Sequence, residues 1–177
     1  MNIQEILNIS EDEHVEFKEA KNHYDFDELT KYACALANRG GGWIFLGITD
    51  RRPRQVVGTN AFLQPEWQRN SLIERLHIQV QFKELRSEKG LKVQAFKISS
   101  RPLGLPVQYK GIAYWRIGES LQPMPENVRK DIYAESGHDF SADICVGASI
   151  NDLDTNAIEN FRTNWFKKSS LMRLQNL

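Results

Sequence analysis

Cysteine is scarce in this chain. There are two, Cys34 and Cys145. Neither has a CxxC partner, so neither a zinc site nor a disulfide framework is expected, and a reducing, cytoplasmic setting fits best. Long apolar runs are missing as well. No stretch approaches the roughly 20 residues that cross a bilayer. Met1 to Glu13 carries acids and polar residues where a signal peptide needs a basic start and an apolar run. An excess of one charge is also absent, because 23 Lys and Arg balance 23 Asp and Glu. Nucleic-acid binding by bulk charge usually asks for a basic domain, so neutrality argues against that mode and leaves room for a local basic patch. Gly40-Gly41-Gly42 is followed by Trp43 and a strand pattern, not by Lys-Ser or Lys-Thr and a helix. That order excludes a phosphate-cradling P-loop and makes the glycines a helix stop. There is no Gly-x-Ser-x-Gly elbow, no internal repeat, and no helical ligand spacing among His14, His23, His77 and His138.

What is present is an ordinary globular composition, 41% hydrophobic and 26% charged. At 177 residues the chain is long enough for one domain with a core and a short appendage. Ile3, Ile6 and Leu7 suggest a short opening helix. His14 to Lys18 alternates as a half-buried strand, with His14, Glu16 and Lys18 on one face and Val15 and Phe17 on the other. Asp25 reads as the N-cap of a helix, with Glu28 in a box-like position. That helix ends at the glycines, and Trp43 to Ile48 follows as a strand covered on both faces. Gln55–Val57 is a short strand candidate. Pro65 opens a helix to about His77, with Trp67, Leu72, Ile73 and Leu76 on its apolar side. Two hairpins are expected: Val80–Leu85 with Leu91–Ile98, and Val107–Tyr109 with Ile112–Ile117 turning at Lys110-Gly111. Pro125 begins another helix with Val128, Ile132 and Tyr133 inward, residues 137–152 read as irregular, and Asp154 caps a final helix carrying Ile158, Phe161 and Trp165. The expected architecture is α+β, with a mixed, largely antiparallel sheet and packed helices. Residues 1–135 form the domain, and 136–177 a connecting segment and C-terminal helix that leads toward further domains or docks as an arm.

Three carboxylates sit near element ends. Glu11 and Glu16 are five apart and would face opposite sides of one straight strand. They converge only if Glu11 precedes the strand, in the turn after Ser10. Asp50 follows the apolar strand. If the strands are neighbours, Glu11, Glu16 and Asp50 cluster at one end of the sheet, and a divalent cation, Mg or Mn by the preference for oxygen ligands, would offset their repulsion. Such an ion activates water and stabilises charge on a phosphodiester. Alternatively the three are solvated acids, with Glu16 paired to Lys18 or His14. Arg51, Arg52, Arg54 and Arg69 form the densest basic cluster, with Trp67 nearby in sequence. Lys110, Tyr114, Trp115 and Arg116 form a second, on a hairpin. Both suit a phosphate backbone and a stacked base, or equally a solvated turn and a hairpin with core aromatics.

Glu11-x4-Glu16-Phe17-Lys18, the helix ending Ala35-Leu36-Ala37-Asn38-Arg39-Gly40-Gly41-Gly42, and Ile44-Phe45-Leu46-Gly47-Ile48-Thr49-Asp50 with Val57-Gly58 together resemble the Schlafen-type AlbA-like domain, AlbA_2. Ala113-Tyr114-Trp115-Arg116-Ile117-Gly118-Glu119-Ser120 resembles that family's Tyr-x-Arg-x-Gly-Ser hairpin. The resemblance covers about residues 10–135. It implies an α+β domain that binds DNA or RNA, in bacteria often labelled a DNA-binding protein or transcriptional regulator. Some members were once grouped as ATPases, which implies nucleotide binding without the P-loop to support it here. In animal Schlafen proteins related domains cleave structured RNA with three metal-binding acids. By position Glu11 and Glu16 match two of these and Asp50 the third, which implies a metal-dependent endoribonuclease as the alternative to a module that only binds. A protein-interaction or sensor domain is the further alternative. Many members carry two acids in a row where this chain has Gly47-Ile48-Thr49-Asp50. The animal enzymes use two such lobes, which a homodimer would restore here. The expected phosphate contacts are Arg51, Arg52, Arg54, Lys110 and Arg116. The tail resembles the segment that joins this domain to ATPase-like or winged-helix parts in longer bacterial relatives.

Overall fold

Each element begins where the local chemistry asks for it. The computed structural model describes residues 2–10, 12–135, 146–147, 149 and 152–174. Asn2 opens helix α1 (Ile3–Asn8) through a reciprocal capping box with Glu5. Strand β1 (Val15–Lys18) leads to helix α2 (Phe26–Asn38), whose cap Asp25 accepts the Glu28 N–H at 2.8 Å. The helix stops in a Schellman turn. The Gly41 N–H reaches the Leu36 carbonyl at 2.8 Å and the Gly40 N–H that of Ala37 at 3.2 Å, with both glycines at positive φ. Strand β2 (Gly42–Leu46) follows at once.

Helix α3 (Pro65–Leu76) then leads into the hairpin of β3 (Val80–Arg86) and β4 (Lys92–Ile98). The four strands form one sheet in the order β1-β2-β4-β3, with β1 and β2 parallel and the other pairs antiparallel. Parallel strands need a crossover, and α2 supplies it. The expected α+β fold with a mixed, largely antiparallel sheet is thus observed. The Gln55–Val57 candidate is a single bridge, Val56 to Ile48.

The sheet is covered on both faces. One face presents Ile44, Leu46 and Phe96 to Leu29, Ala33 and Leu36 of α2. The other packs Phe17, Phe45, Val93 and Ala95 against Ile6 of α1. Phe45 stacks between Phe17 (5.4 Å) and Trp43 (5.6 Å). β1 is therefore buried on both faces, not half-buried as its alternation predicts, and its polar residue Glu16 lies inside.

Three further expectations change. Trp67 is 56% exposed, because α3 turns Leu72 and Leu76 inward and leaves Trp67 against the rim at Phe26 (5.9 Å). Val107–Tyr109 and Ile112–Ile117 do not form a ladder beyond one bridge, Tyr109 to Ile112. The reason is that Asn38 of α2 claims both backbone groups of Val107, accepting its N–H at 2.8 Å and donating to its carbonyl at 2.9 Å. The hairpin forms one step later, from β5 (Tyr114–Ile117) and β6 (Ser120–Pro123). It packs through Ala113 and Met124 on Ile132 of helix α4 (Glu126–Ala134). Tyr133 of α4 is exposed, not inward.

The chain separates into two units, Met1–Gly137 and His138–Leu177. Most of the region expected to be irregular, 137–152, lies outside the described residues. The second unit's described part is mainly helix α5 (Thr155–Leu174), capped by Asp154 through the Asn156 and Ala157 N–H groups at 2.8 and 3.3 Å. Phe161 and Trp165 stack on its surface at 6.2 Å. No helix among the described residues is long and apolar enough to cross a membrane.

Gly42 does more than help end α2. A Cβ there would lie 2.0 Å from the His14 carbonyl oxygen, which accepts the Trp43 N–H at 2.8 Å. Gly42→Ala is expected to destabilise the protein by about 1–3 kcal/mol in urea unfolding, as overpacking of a rigid core does. Gly90→Ala, at positive φ but in open space, is expected to lose about 1–2 kcal/mol, from left-handed strain alone. Equal stability of Gly42→Ala and wild type would contradict the close approach of β1 and β2.

Candidate nucleic-acid interface

The carboxyl ends of β1 and β2 lie side by side, with Lys18 opposite Leu46. The chain leaves β2 through Gly47–Thr49 into the basic turn 50–54. That turn is closed by the Thr49 N–H to the Gln55 carbonyl (3.0 Å) and by the Gln55 N–H to Thr49 Oγ1 (2.9 Å). Its arginines pin it to the segment before β1. Arg54 Nη1 donates to the Ile9 carbonyl at 2.7 Å, and its guanidinium lies 4.0 Å from the Phe17 ring centre. Arg52 Nη2 donates to the Ile9 carbonyl (3.2 Å) and Ser10 Oγ (3.3 Å). The result is a cleft of about 520 Å³ lined by Glu16, Lys18, Asp50 and the three arginines of the turn, with Ser10 and Glu119 at its sides.

Glu16 is the buried centre of this wall. Its Oε1 meets Lys18 Nζ at 2.7 Å, and its Oε2 accepts from Nη1 of Arg116, a residue with no exposed surface. Alternation along β1 turns Glu16 and Lys18 to the α2 side, where Tyr32 packs on both cations, 5.0 Å from Lys18 Nζ and 5.7 Å from the Arg116 guanidinium. Burial works to lower the Lys18 pKa, but the hydrogen bond and negative charge of Glu16 outweigh it and hold the ammonium above its ordinary value. Burial first, and the Glu16 charge second, push the Tyr32 phenol up.

The sequence candidates divide accordingly. Glu16, Asp50, Arg51, Arg52 and Arg54 share the cleft. Glu11 lies outside the described residues. Arg116, expected as a surface phosphate contact, is enclosed and spent on Glu16, so it positions the wall of the cleft without facing solvent. Lys110 is engaged at the first turn of α2, where it bonds Asp27. That bond, with a second from Tyr109, holds the Asp27 carboxyl down at about 2. Arg69 pairs with Glu66 on α3 at 3.3 Å and does not line the cleft. Among the described residues no group of three His, Cys, Asp or Glu side chains stands close enough to hold a metal ion.

Lys18 and Glu119 line the cleft in addition to the residues expected from sequence. Lys18 was legible, since it shares a face with Glu16 at spacing two, whereas Glu119 enters only because the hairpin folds back from β5.

The fold and this cleft define a class: an α+β domain in which a parallel strand pair ends beside a basic turn and a buried acid. The family model Schlafen, AlbA_2 matches residues 11–125, well over half of the chain, and the chain belongs to that family. No curated protein matches it. Among solved structures it is similar to the DIP2311 protein from Corynebacterium diphtheriae, at 21% identity and a TM-score of 0.57, over 89% of this chain and 36% of that one. It is also similar to the N-terminal domain of a RecG-related protein from Nitrosomonas europaea, at 20% identity and a TM-score of 0.45, over 67% of this chain and 88% of that one. The first likeness shows the fold alone. The chain spans little more than a third of the DIP2311 protein's length.

Two outcomes test the buried centre. Arg116→Met leaves a carboxylate inside without its guanidinium, and is expected to lose about 3–5 kcal/mol of unfolding free energy. Adding Glu16→Gln to Arg116→Met is expected to recover part of that loss, and no recovery would mean that the two do not act as a pair. Because the Lys18 pKa is raised on folding, the stability it lends is complete below its unfolded value of about 10.4 and is lost as pH rises toward the folded value. Urea midpoints are therefore expected to fall above about pH 10.4, and to fall less in Lys18→Met. Identical alkaline limbs would remove the linkage.

Proposed function

We propose that residues 1–137 form a nucleic-acid-binding module, of the kind that serves a bacterial transcriptional regulator. One observation supports this most strongly: the turn 50–54 sets Arg51 and Arg52, both exposed, on the rim of the cleft at the end of the sheet. Neither has a carboxylate partner among the described residues. Arginines held this way fit phosphate oxygens, and a polar cleft behind them fits a sugar–phosphate backbone better than an apolar ligand. Arg54 stiffens the turn from beneath. Family membership makes the same role reasonable. Lys110 and Arg116 contribute structure in this proposal, through Asp27 and Glu16.

A second activity, metal-dependent endoribonuclease, is favoured by a narrower observation: Glu16 and Asp50 line one cleft. Glu16 and Asp50, with Glu11, are the residues that would hold Mg or Mn, and the ion would supply an activated water and charge stabilisation at a phosphodiester. The fit within the described residues is incomplete, because both Glu16 oxygens already face Lys18 and Arg116. Binding without cleavage is therefore the main proposal.

Fluorescence anisotropy with a labelled DNA duplex and a labelled structured RNA tests it. Arg51→Glu/Arg52→Glu is expected to weaken binding at least about tenfold at low salt and to lower the slope of log K against log salt by about 0.7–0.9 per lost contact. Unchanged affinity and slope would sink the assignment of these arginines. Manganese-dependent cleavage in the same samples, stopped by chelator and absent in Glu16→Gln, would replace binding alone with the nuclease.

A further inference from the structure

We infer that the binding surface does not end at the Arg51–Arg54 turn but runs along the end of the sheet to a second basic cleft, taking the backbone of one nucleic-acid strand along its length. This rests on nucleic-acid binding at the first cleft and extends it. The depressions are continuous. Arg54 lines both the first cleft and a middle one of about 730 Å³, and Arg86 and Leu91 line both the middle one and a far one of about 470 Å³. Register explains the continuity. Lys18 ends β1 opposite Leu46, Leu46 sits opposite Gln94 near the start of β4, and Arg86 ends β3 opposite Lys92. All four strand ends therefore lie at one edge. At about 4.8 Å per strand this edge is about 14 Å wide, about four base-pair steps along a duplex axis at 3.4 Å each.

The far cleft has the chemistry of a phosphate site. Lys21, Arg86 and Lys92 line it with Asn22, Thr59 and Asn60, and among the described residues no Asp or Glu joins them. Its described lining holds no aromatic ring on which a base would stack, which suits it to backbone. Two of its lining residues, Gly58 and Lys92, are closely packed against Gly47: a Cβ on Gly47 would lie 2.9 Å from the Lys92 carbonyl oxygen and 3.0 Å from Gly58. Among the described residues two of its cations are ion-paired, Lys21 with Glu19 at 3.6 Å and Arg86 with Glu84 at 2.7 Å, both in exposed pairs that exchange readily for a phosphate, and Glu88 lines the middle depression beside Arg86. Lys92 has no carboxylate partner among the described residues.

The test compares single-stranded DNA and RNA probes in a short form of about 2 nucleotides, too short to reach from the first cleft to the far one, and a long form of about 24, on either side of the usual range of site sizes. Lys21→Gln/Lys92→Gln is expected to weaken the long probe at least about fivefold and to lower its salt slope by about 1.4–1.8, while the short probe changes less than about twofold. Lys21→Gln alone, at an exposed side chain that cannot compromise folding, is expected to give about half that slope change. Arg51→Gln/Arg52→Gln is expected to weaken both lengths. If the long probe keeps its full slope in both lysine variants while the arginine variant still weakens it, the extension fails and the first cleft stands. If the wild type binds neither probe, the first cleft and the extension fail together.

Discussion

A single buried carboxylate organises this domain. Glu16 sits in the middle of β1, nearly without solvent, and takes Lys18 on one oxygen and Arg116 on the other. Removing these three charges from water is unfavourable by several kcal/mol per ion, and only their mutual attraction in good geometry offsets it. The pairing is worth less as a source of net stability than as a constraint on position. Arg116 belongs to β5, a hundred residues downstream, so the second hairpin can dock in only one place if Glu16 is to be neutralised. Lys18 is held at the same time with its ammonium toward the cleft.

α2 carries the other half of that constraint. It crosses between the parallel strands and must therefore stop abruptly, and the Schellman turn returns the chain into β2 after three residues. At the last residue of the helix, Asn38 donates to the carbonyls of Val107 and Tyr114 and accepts the Val107 N–H. A buried amide with its hydrogen bonds satisfied on a distant segment is an exacting fixture, since losing any partner leaves a polar group unpaired. Asn38 and Glu16 thus seize the same hairpin from a helix and from a strand. Arg39 adds a third hold, ion-paired to Glu13 at 2.6 Å and lying 4.6 Å over the Trp115 ring.

These fixtures also explain what the sequence revealed. α2 was legible because its signals are local: Asp25 at one end, glycines at the other, and apolar residues at helical spacing between them. The β3–β4 hairpin was legible for the same reason. β1 misled because alternation normally marks a solvated face, whereas here the polar face is buried on ion pairs that no local pattern announces. The Lys110-Gly111 turn misled in the opposite sense. Its turn chemistry is real, with both residues at positive φ, but Asn38 had already taken the backbone groups a longer ladder would need. At the candidate site, Arg51, Arg52, Arg54, Glu16 and Asp50 were found as residue types near strand ends. Arg116 was misplaced because its burial depends on a partner a hundred positions away.

Charge balance over the whole chain then takes on a different meaning. With 23 residues of each sign, neutrality argues against bulk attraction to a polyanion, but it says nothing about where the acids are occupied. In this domain many of them are committed elsewhere. Asp27 is held by Lys110, Tyr109 and Arg75, Glu135 by Arg101 at 2.6 Å, Glu13 by Arg39, and Glu16 by its two cations. Each such pair removes an acid from the surface field together with a base, and screening within about 10 Å lets what remains act locally. What remains at the end of the sheet is Arg51, Arg52 and Lys92, without carboxylate partners among the described residues, alongside Asp50 and Glu119, which they outnumber. A neutral chain therefore presents a basic edge because its folding ion pairs consume acids in one place and leave cations in another. That distribution is set by strand order and register, which composition cannot express.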